Sequence, residues 1–247
     1  MKSIQKFIAV TDIKCQTIFN NMAIMCGPIL TLGIVLGLRY LYQLNLAEGE
    51  TLPTVLVAMI LNMGLVLNAS MNGFLMVGTA IAEEKEKHTL RVLMTSSVTG
   101  IQYFLGTICI PFVIIMILNG AILPLAGCRL IPENVAVYVL LTAISGLTSC
   151  IIGMLVGIFA KNQMSANLMA TPLLLVFGLI PIFGDLSEGI AKVSRFLFTG
   201  VLTDMAGSIA AGTVFRPDGL QLAVLFGEML LALIIFICMY KRNGYEK

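Results

Sequence analysis

The chain has 247 residues, of which 58% are hydrophobic and only 11% are charged, and its mean hydropathy is +0.98. Soluble domains are about half apolar and about a quarter charged, so this composition excludes an ordinary soluble domain and indicates a protein of the lipid bilayer. The net charge of +2 says little by itself, and no nucleic-acid partner is expected.

Residues 1–21 are the first predicted element, an amphipathic helix. Apolar side chains recur on one helical face, which is typical of a helix lying in the inner membrane interface, although a plain lead into the first span is the alternative. No compact apolar core is present, so we do not expect a cleaved signal peptide. The predicted apolar face comprises Ile4, Phe7, Ile8, Cys15, Ile18 and Phe19.

Six apolar runs are long enough to cross a hydrocarbon core of roughly 30 Å as helices. Residues 110–118 are almost unbroken apolar sequence, without the alternation of a β-barrel strand, so helices are expected to satisfy the backbone. The predicted fold is all-α, a polytopic membrane protein with six transmembrane helices in a single domain over residues 1–247. The runs are Met22–Leu38, Thr54–Ala82, Phe104–Gly127, Val135–Ala160, Met164–Gly184 and Leu220–Tyr240.

Basic residues predict the orientation. If the N-terminus is cytoplasmic, six crossings place ten Lys and Arg residues inside and five outside, which agrees with the positive-inside rule. Both termini are therefore expected in the cytoplasm. The inside residues are Lys2, Lys6, Lys14, Lys85, Lys87, Arg91, Lys161, Lys241, Arg242 and Lys247, and the outside residues are Arg39, Arg129, Lys192, Arg195 and Arg216.

Residues 83–101 form a charged cytoplasmic segment after the second span. It combines acids and bases with a short apolar stripe of Leu90, Leu93 and Met94. Such a segment can dock into a partner's groove while its charges fix the register. A solvated loop that only sets orientation is the other interpretation, and spacing alone leaves both open.

The run Glu84-Lys-Glu-Lys-His-Thr-Leu-Arg-Val-Leu-Met-Thr-Ser-Ser-Val98 resembles the segment after the second span of type-2 ABC-transporter permeases. That family has approximately Glu-basic-Glu-x-Gly-Thr-Leu-Glu-x-Leu, followed by small residues and Pro-Val. His88 stands where Gly is usual, Arg91 where Glu is usual, and Ser97 where Pro is common. Six spans, the amphipathic start and a long outer loop extend the resemblance over nearly the whole chain.

The resemblance implies a transport subunit rather than an enzyme. The sequence has no G-x-x-x-x-G-K-[ST] loop, so ATP hydrolysis, with its ATP and Mg²⁺, is expected on a separate ABC ATPase chain. A second permease, identical or homologous, is expected beside it in a bacterial plasma membrane, and no catalytic residue, cofactor or metal is expected on this chain. The implied ATPase-coupling residues are Glu84, Glu86, Thr89, Leu90 and Leu93.

Polar residues inside the spans are candidates for the transport pathway. Asn62, Asn68 and Asn72 lie in the second span, where amides usually bond between helices, although lining a pathway is the alternative. The family's pathway is bordered by the second and fifth spans, and the resemblance therefore adds Asn167 and Thr171.

Glu228 is an acid well inside the sixth predicted span. An acid at that depth is costly and often functional, by binding a cation or a proton, although structural pairing is equally compatible with the sequence. It is the remaining pathway candidate.

Two further patterns concern packing. Gly33 with Gly37, and Gly153 with Gly157, have the G-x-x-x-G spacing that lets helices approach closely. Residues 185–219 hold apolar pieces at 196–202 and 205–211, each too short to span, so they predict a re-entrant helical segment on the outer side.

The leading functional hypothesis is the permease subunit of an ATP-driven exporter that moves a drug, an antimicrobial peptide or a similar substrate outward. An ion-coupled secondary transporter using Glu228 is the first alternative, although the halves lack the repeat of broken helices typical of such carriers. A membrane sensor or scaffold without transport is the second.

Overall fold

The computed structural model describes residues 3–46, 50–89 and 99–242. These residues are almost entirely helical. The helices are α1 (Ser3–Asn20), α2 (Met22–Leu44), α3 (Thr54–Glu86), α4 (Gly100–Ala126), α5 (Pro132–Phe159), α6 (Gln163–Ile182), α7 (Glu188–Ser194), α8 (Phe198–Ala210) and α9 (Gly219–Arg242).

Six of these helices are long and apolar enough to cross a membrane, as the sequence predicts: α2, α3, α4, α5, α6 and α9. Local chemistry sets several of their ends. Asn21 accepts a hydrogen bond from the backbone N–H of Ala23 and caps α2, while Thr99 and Gln102 form a capping box at the start of α4. Gly127 ends α4 with φ 87°, a conformation that favours glycine.

Helix α1 has two different faces. Val10, Lys14 and Ile18 are buried and lie four residues apart, whereas Ile8 and Phe19 are 58% and 55% exposed. The sequence predicts Ile8, Ile18 and Phe19 on one apolar face, and the structure divides them between the protein side and the opposite side. An exposed apolar face is what a helix in the membrane interface requires, and that location stays a prediction.

Helices α3 and α5 form the centre of the bundle. Half of the apolar window of α3 and 61% of that of α5 are buried, against 17% for α9. Glycine permits this contact, because a Cβ at Gly157 would lie 2.7 Å from the Cβ of Ile81 and one at Gly153 would meet the carbonyl of Gly73. Nothing lies within 4 Å of a Cβ placed at Gly33 or Gly37, so close packing there is absent within the described residues.

Two spans contain wide π-helical turns that face each other. Residues 68–76 of α3 and 175–179 of α6 adopt this form, which occurs mostly as short insertions at functional sites. Phe74 and Phe177 link them through an edge-on ring contact with centroids 5.7 Å apart, and Phe177 stacks on Phe198 of α8 at 5.2 Å.

The segment predicted to lie on the outer side contains two short helices, α7 and α8, neither of which is long enough to span. The sequence predicts two apolar pieces separated near Asp204. The structure instead joins them in α8, because the Asp204 carboxylate is on the exposed side, where it accepts a hydrogen bond from Gln221 at 2.7 Å. Leu202 and Met205, on the other side, are buried in the core.

Candidate coupling site and intramembrane polar residues

Glu84 lies near the end of α3 in a buried ion pair with α1. Its carboxylate is 2.6 Å from the Nζ of Lys14, and the two side chains are 6% and 1% exposed. Tyr103, in the first turn of α4, donates its hydroxyl to the same carboxylate and accepts a hydrogen bond from Lys14 at 3.2 Å. The Lys14 ammonium also lies 4.4 Å from the centre of the Tyr103 ring. Three helices therefore meet at one buried charged point.

Burial lowers the pKa of Lys14 from its ordinary value, and the carboxylate of Glu84 opposes that shift. Removing one member of such a pair leaves an uncompensated buried charge, which is strongly destabilising. A direct contact with a partner protein requires exposed side chains, and Glu84 is buried. We therefore expect Glu84 to position the predicted coupling segment rather than to touch a partner.

Glu83 fixes the junction between α1 and α2. It is 5% exposed and accepts a hydrogen bond from the side chain of Asn21 at 2.6 Å. It also pairs with Lys87, one turn further along. The hydrogen bond to Glu83 raises the pKa of Lys87. Because Asn21 also caps α2, the end of α3 is tied to the point where α1 meets α2.

Lys85 and Glu86, the next two residues of α3, contact α5 and α6. The ammonium of Lys85 donates hydrogen bonds to the carbonyls of Ile158 and Ala160, at the end of α5. The exposed carboxylate of Glu86 accepts a hydrogen bond at 3.2 Å from the backbone N–H of Gln163, the first residue of α6. Residues 83–86, here called the 83–86 junction, therefore connect α3 to five other helices.

Thr89 and His88 begin the segment beyond this junction. The Thr89 hydroxyl donates to the backbone carbonyl of Glu84 at 3.2 Å, and Thr89 is exposed. His88 has φ 58°, in the left-handed region. Of the predicted coupling residues, Leu90 and Leu93 lie outside the described residues.

Asn68 and Asn72 belong to a buried chain of amides between helices. Asn72 donates to the side-chain oxygen of Asn68 at 2.6 Å, and Asn68 donates to that of Asn119 in α4 at 2.7 Å. Asn72 also reaches the hydroxyl of Thr31 in α2 at 3.5 Å. Asn68 and Asn72 are fully buried, so in this structure they bond α2, α3 and α4 together.

Asn62 lies in the first half of α3 and contacts α8. Its side-chain oxygen accepts a hydrogen bond from the hydroxyl of Thr203 at 2.9 Å. Asn62 is 8% exposed. This bond holds α8 against α3, in addition to their apolar contact.

Asn167 and Thr171 differ from the other pathway candidates because both are exposed. They lie four residues apart on α6, and the Thr171 hydroxyl donates to the Asn167 carbonyl at 2.9 Å. Polar side chains on the outside of a span are costly in lipid. This face is therefore suited to a water-filled pathway or to a second membrane protein.

Glu228 lies in α9 and binds the start of α8. Its carboxylate accepts a hydrogen bond from the backbone N–H of Phe198, the first residue of α8, at 2.7 Å. An acidic group at a helix N-terminus satisfies one of the free N–H groups and complements the helix dipole. Glu228 therefore has a structural partner, and α9 is linked to α8 through it.

The model of the ABC-2 family transporter proteins matches residues 40–238, well over half of the chain. The chain belongs to the ABC-2 family. Among curated proteins, no match was found. Together with the six spans, the family establishes the chain as a type-2 ABC permease, a multi-pass membrane subunit of an ABC transporter.

The predicted site residues of the permease fall into separate groups. Glu84, Glu86 and Thr89 lie together at one end of the bundle, and Asn68 and Asn72 lie in its middle. Glu228 and Asn62 each bind α8, from α9 and α3 respectively. Asn167 and Thr171 occupy the exposed face of α6. Their functional roles stay predictions.

Lys14 and Tyr103 are the important residues of this permease that the sequence interpretation did not single out. A signal for Lys14 does exist, because it lies midway between Val10 and Ile18 on the buried stripe of α1. A lysine on that stripe requires a buried partner. Tyr103 has no comparable signal, since an aromatic residue at the start of a span is ordinary at a membrane interface.

Proposed function

We propose that the chain is the membrane-spanning permease subunit of an ATP-driven exporter. It pairs with a separate nucleotide-binding ATPase and with a second permease, identical or homologous, in a bacterial plasma membrane with both termini cytoplasmic. The complex moves a drug, an antimicrobial peptide or a similar substrate outward. The family supports the membrane subunit, and the distribution of basic residues supports the orientation.

The 83–86 junction is the observation that carries the proposal. The junction is the first part of the predicted coupling segment, residues 83–101, and its four side chains bind α1, α2, α4, α5 and α6. A displacement of that segment by an ATPase would reach most of the bundle through hydrogen bonds and one buried ion pair. Transmission from a nucleotide-driven partner to the spans needs such a contiguous connection.

The exposed polar face of α6 supports the second permease. Asn167 and Thr171 have no cover within the described residues of this chain beyond their own helix. A second permease facing α6 would enclose them along a shared pathway and remove the cost of exposing them to lipid.

Affinity purification of the chain from its native membrane in mild detergent tests this proposal. Co-purifying proteins are identified, and ATPase activity is measured with and without the chain. We expect a stoichiometric ABC ATPase and a second permease, with ATP-dependent outward flux after reconstitution in vesicles.

Two results would contradict the proposal. A chain that purifies alone under several gentle conditions and drives flux from an ion gradient would be an ion-coupled transporter, with Glu228 as the first candidate group. A chain with no ATPase and no flux in either assay would be a sensor or scaffold.

A further inference from the structure

A polar cleft opens beside the 83–86 junction, between α1 and the adjacent ends of α2, α3 and α6. Its volume is about 710 Å³. Ile13 and Met22 contribute apolar walls, and the other side chains that line the cleft are mostly polar: Glu83, Lys87, Asn21, Gln163, Gln16, Thr17 and Asn20. Glu84 and Lys14 do not line it, so the cleft is distinct from the buried ion pair.

The two charged groups of the cleft differ in how firmly they are held. The Glu83 side chain is 6% exposed and is anchored by Asn21, whereas the Lys87 side chain is 65% exposed and its ammonium is free to move into water. Glu83 is a fixed anion, and Lys87 is its replaceable counter-ion.

Other groups around the cleft favour a cation over an anion. The helix N-termini of α2 and α6, which would attract an anion, are already occupied: Asn21 accepts from Ala23, and the Glu86 carboxylate accepts from Gln163. Lys85 is engaged by the carbonyls at the end of α5. The cleft lies beside the C-terminal turns of α1 and α3, where the helix dipole places partial negative charge.

The apolar side chains of the cleft favour a cation that also carries an apolar part. Met22 and Ile13 are 76% and 48% exposed, and they lie where the interfacial helix meets the first span. A purely polar ligand would leave these side chains uncovered. A ligand with a cationic head and an apolar body would satisfy Glu83 and cover them at the same time.

We propose that this cleft is a binding site for an amphipathic cation with a primary ammonium group, in which Glu83 binds the ammonium and Lys87 occupies the same position when the ligand is absent. As a statement about the transported substrate it rests on the function proposed above. As a statement about binding it stands alone, because binding is measured without any ATPase.

One residue that lines the cleft shares a helical face with two of the pathway candidates on α6. Gln163 lines the cleft, and Asn167 and Thr171 follow it at steps of four residues on α6, which places the three on one helical face. A cation released from Glu83 would meet this polar stripe first on its way into the membrane.

Equilibrium dialysis of labelled octylammonium against the chain in lipid nanodiscs tests the site, with empty nanodiscs subtracting partition into lipid. We expect saturable binding of octylammonium and none of octanoate, which has the opposite charge.

Three variants test the roles of the charged residues. Glu83→Gln keeps an oxygen for Asn21 but removes the anion, so the affinity for octylammonium should fall about tenfold or more. Lys87→Ala removes the competing ammonium, so affinity should rise severalfold. Glu188→Gln, on outer helix α7, is the matched control and should change nothing.

The Lys87 variant separates a binding site from a merely structural ion pair, because a structural role would lower affinity in both variants. Equal octylammonium affinity in wild type and Glu83→Gln would overturn the proposal, and so would a fall in affinity for Lys87→Ala. Saturable binding of octanoate that is lost in Lys87→Ala would identify an anion site instead. If Glu83→Gln fails to fold, the Lys87→Ala result decides alone. None of these outcomes depends on whether an ATPase co-purifies.

Discussion

His88 is the one non-glycine residue with a left-handed backbone among the described residues, with φ 58°. It follows the last turn of α3, and its N–H donates to the carbonyl of Lys85 at 3.1 Å. Helices commonly end with such a residue, which is usually glycine because a Cβ is strained there. The type-2 permease pattern that residues 84–98 resemble has Gly at this position, and the left-handed backbone of His88 gives a physical reason for it.

Replacing His88 by glycine is expected to stabilise the permease by about 1 kcal/mol, because it removes the Cβ strain. Thermal unfolding in detergent measures the effect. His88→Ala is the matched control, since it deletes the imidazole but keeps the Cβ, and it should bring no gain. Equal stabilisation by both variants would show that the imidazole, rather than the backbone, is the source of strain.

Glu228 has two possible roles, as an ionisable group of the pathway or as the N-terminal cap of α8. Its oxygen accepts the Phe198 N–H, and glutamine can replace it as an acceptor while leucine cannot. We expect Glu228→Leu to lower the free energy of opening the first turn of α8 by about 1–3 kcal/mol, because the Phe198 N–H loses its acceptor. Glu228→Gln should lower it much less. Hydrogen exchange over residues 198–201 measures this opening. Unchanged exchange in the leucine variant would rule out the capping role.

At the scale of elements, α1 is held by a charged contact in addition to apolar packing. Lys14 of α1 and Glu84 of α3 are both buried, and Tyr103 of α4 binds both. This arrangement ties α1 to both ends of the predicted coupling segment, residues 83–101, because that segment includes the end of α3 and the start of α4.

The pair should show strong coupling in a double-mutant cycle. Lys14→Met and Glu84→Gln, each made alone, are expected to lower the free energy of unfolding by about 3 kcal/mol, since each leaves a buried charge unpaired. The double variant should cost clearly less than the sum, because no charge is then left over. Unfolding of all four proteins in detergent gives the cycle, and additive losses would mean that the two groups do not interact.

Helix α8 depends on a glycine close to its start. A Cβ at Gly200 would collide with the backbone carbonyl of Ser194, whereas nothing lies within 4 Å of a Cβ at Gly207 in the same helix. Gly200→Ala should therefore destabilise by about 2 kcal/mol. Gly207→Ala should be neutral or stabilising by up to about 1 kcal/mol. Thermal unfolding compares them, and equal effects would show that the turn before α8 accommodates the methyl group.

For the whole molecule, the 83–86 junction makes the end of α3 the common contact of α1, α2, α4, α5 and α6. Such a contact can transmit movement without being part of the substrate pathway. Coupling free energies between two sites typically change the affinity at one site by roughly 5–150-fold when the other site is occupied.

Glu86→Ala breaks the link from this junction to Gln163, and Leu90→Asp places a charge on the predicted docking stripe. Both should leave insertion into the membrane intact while reducing transport per ATP hydrolysed by about tenfold. Flux and ATPase activity in reconstituted vesicles give that ratio, with Glu188→Ala on the outer side as control. A wild-type ratio in both variants would exclude these residues from coupling.

Much of the fold was predictable because lipid permits few solutions. The six spans follow from apolar length, and the six helices of the structure contain or closely match the predicted runs. Glu228 is different. Its depth marks it as unusual in the sequence, but only the packing of α8 against α9 brings the N–H of Phe198 to its carboxylate.

Gly33 and Gly37 illustrate the same limit, since their spacing equals that of Gly153 and Gly157, yet only the second pair meets a neighbouring helix within the described residues. Residue spacing fixes which side chains share a face, and the positions of the other helices fix what that face contacts.

The sequence by itself determined the membrane class, the number of spans and the charged segment after the second span, because hydropathy and length act locally along the chain. Tertiary structure alone decided that Lys14 pairs with Glu84, that Asn68 and Asn119 bond, and that Glu83 faces a cleft. A buried polar group must find a partner, but its choice depends on which helices pack together.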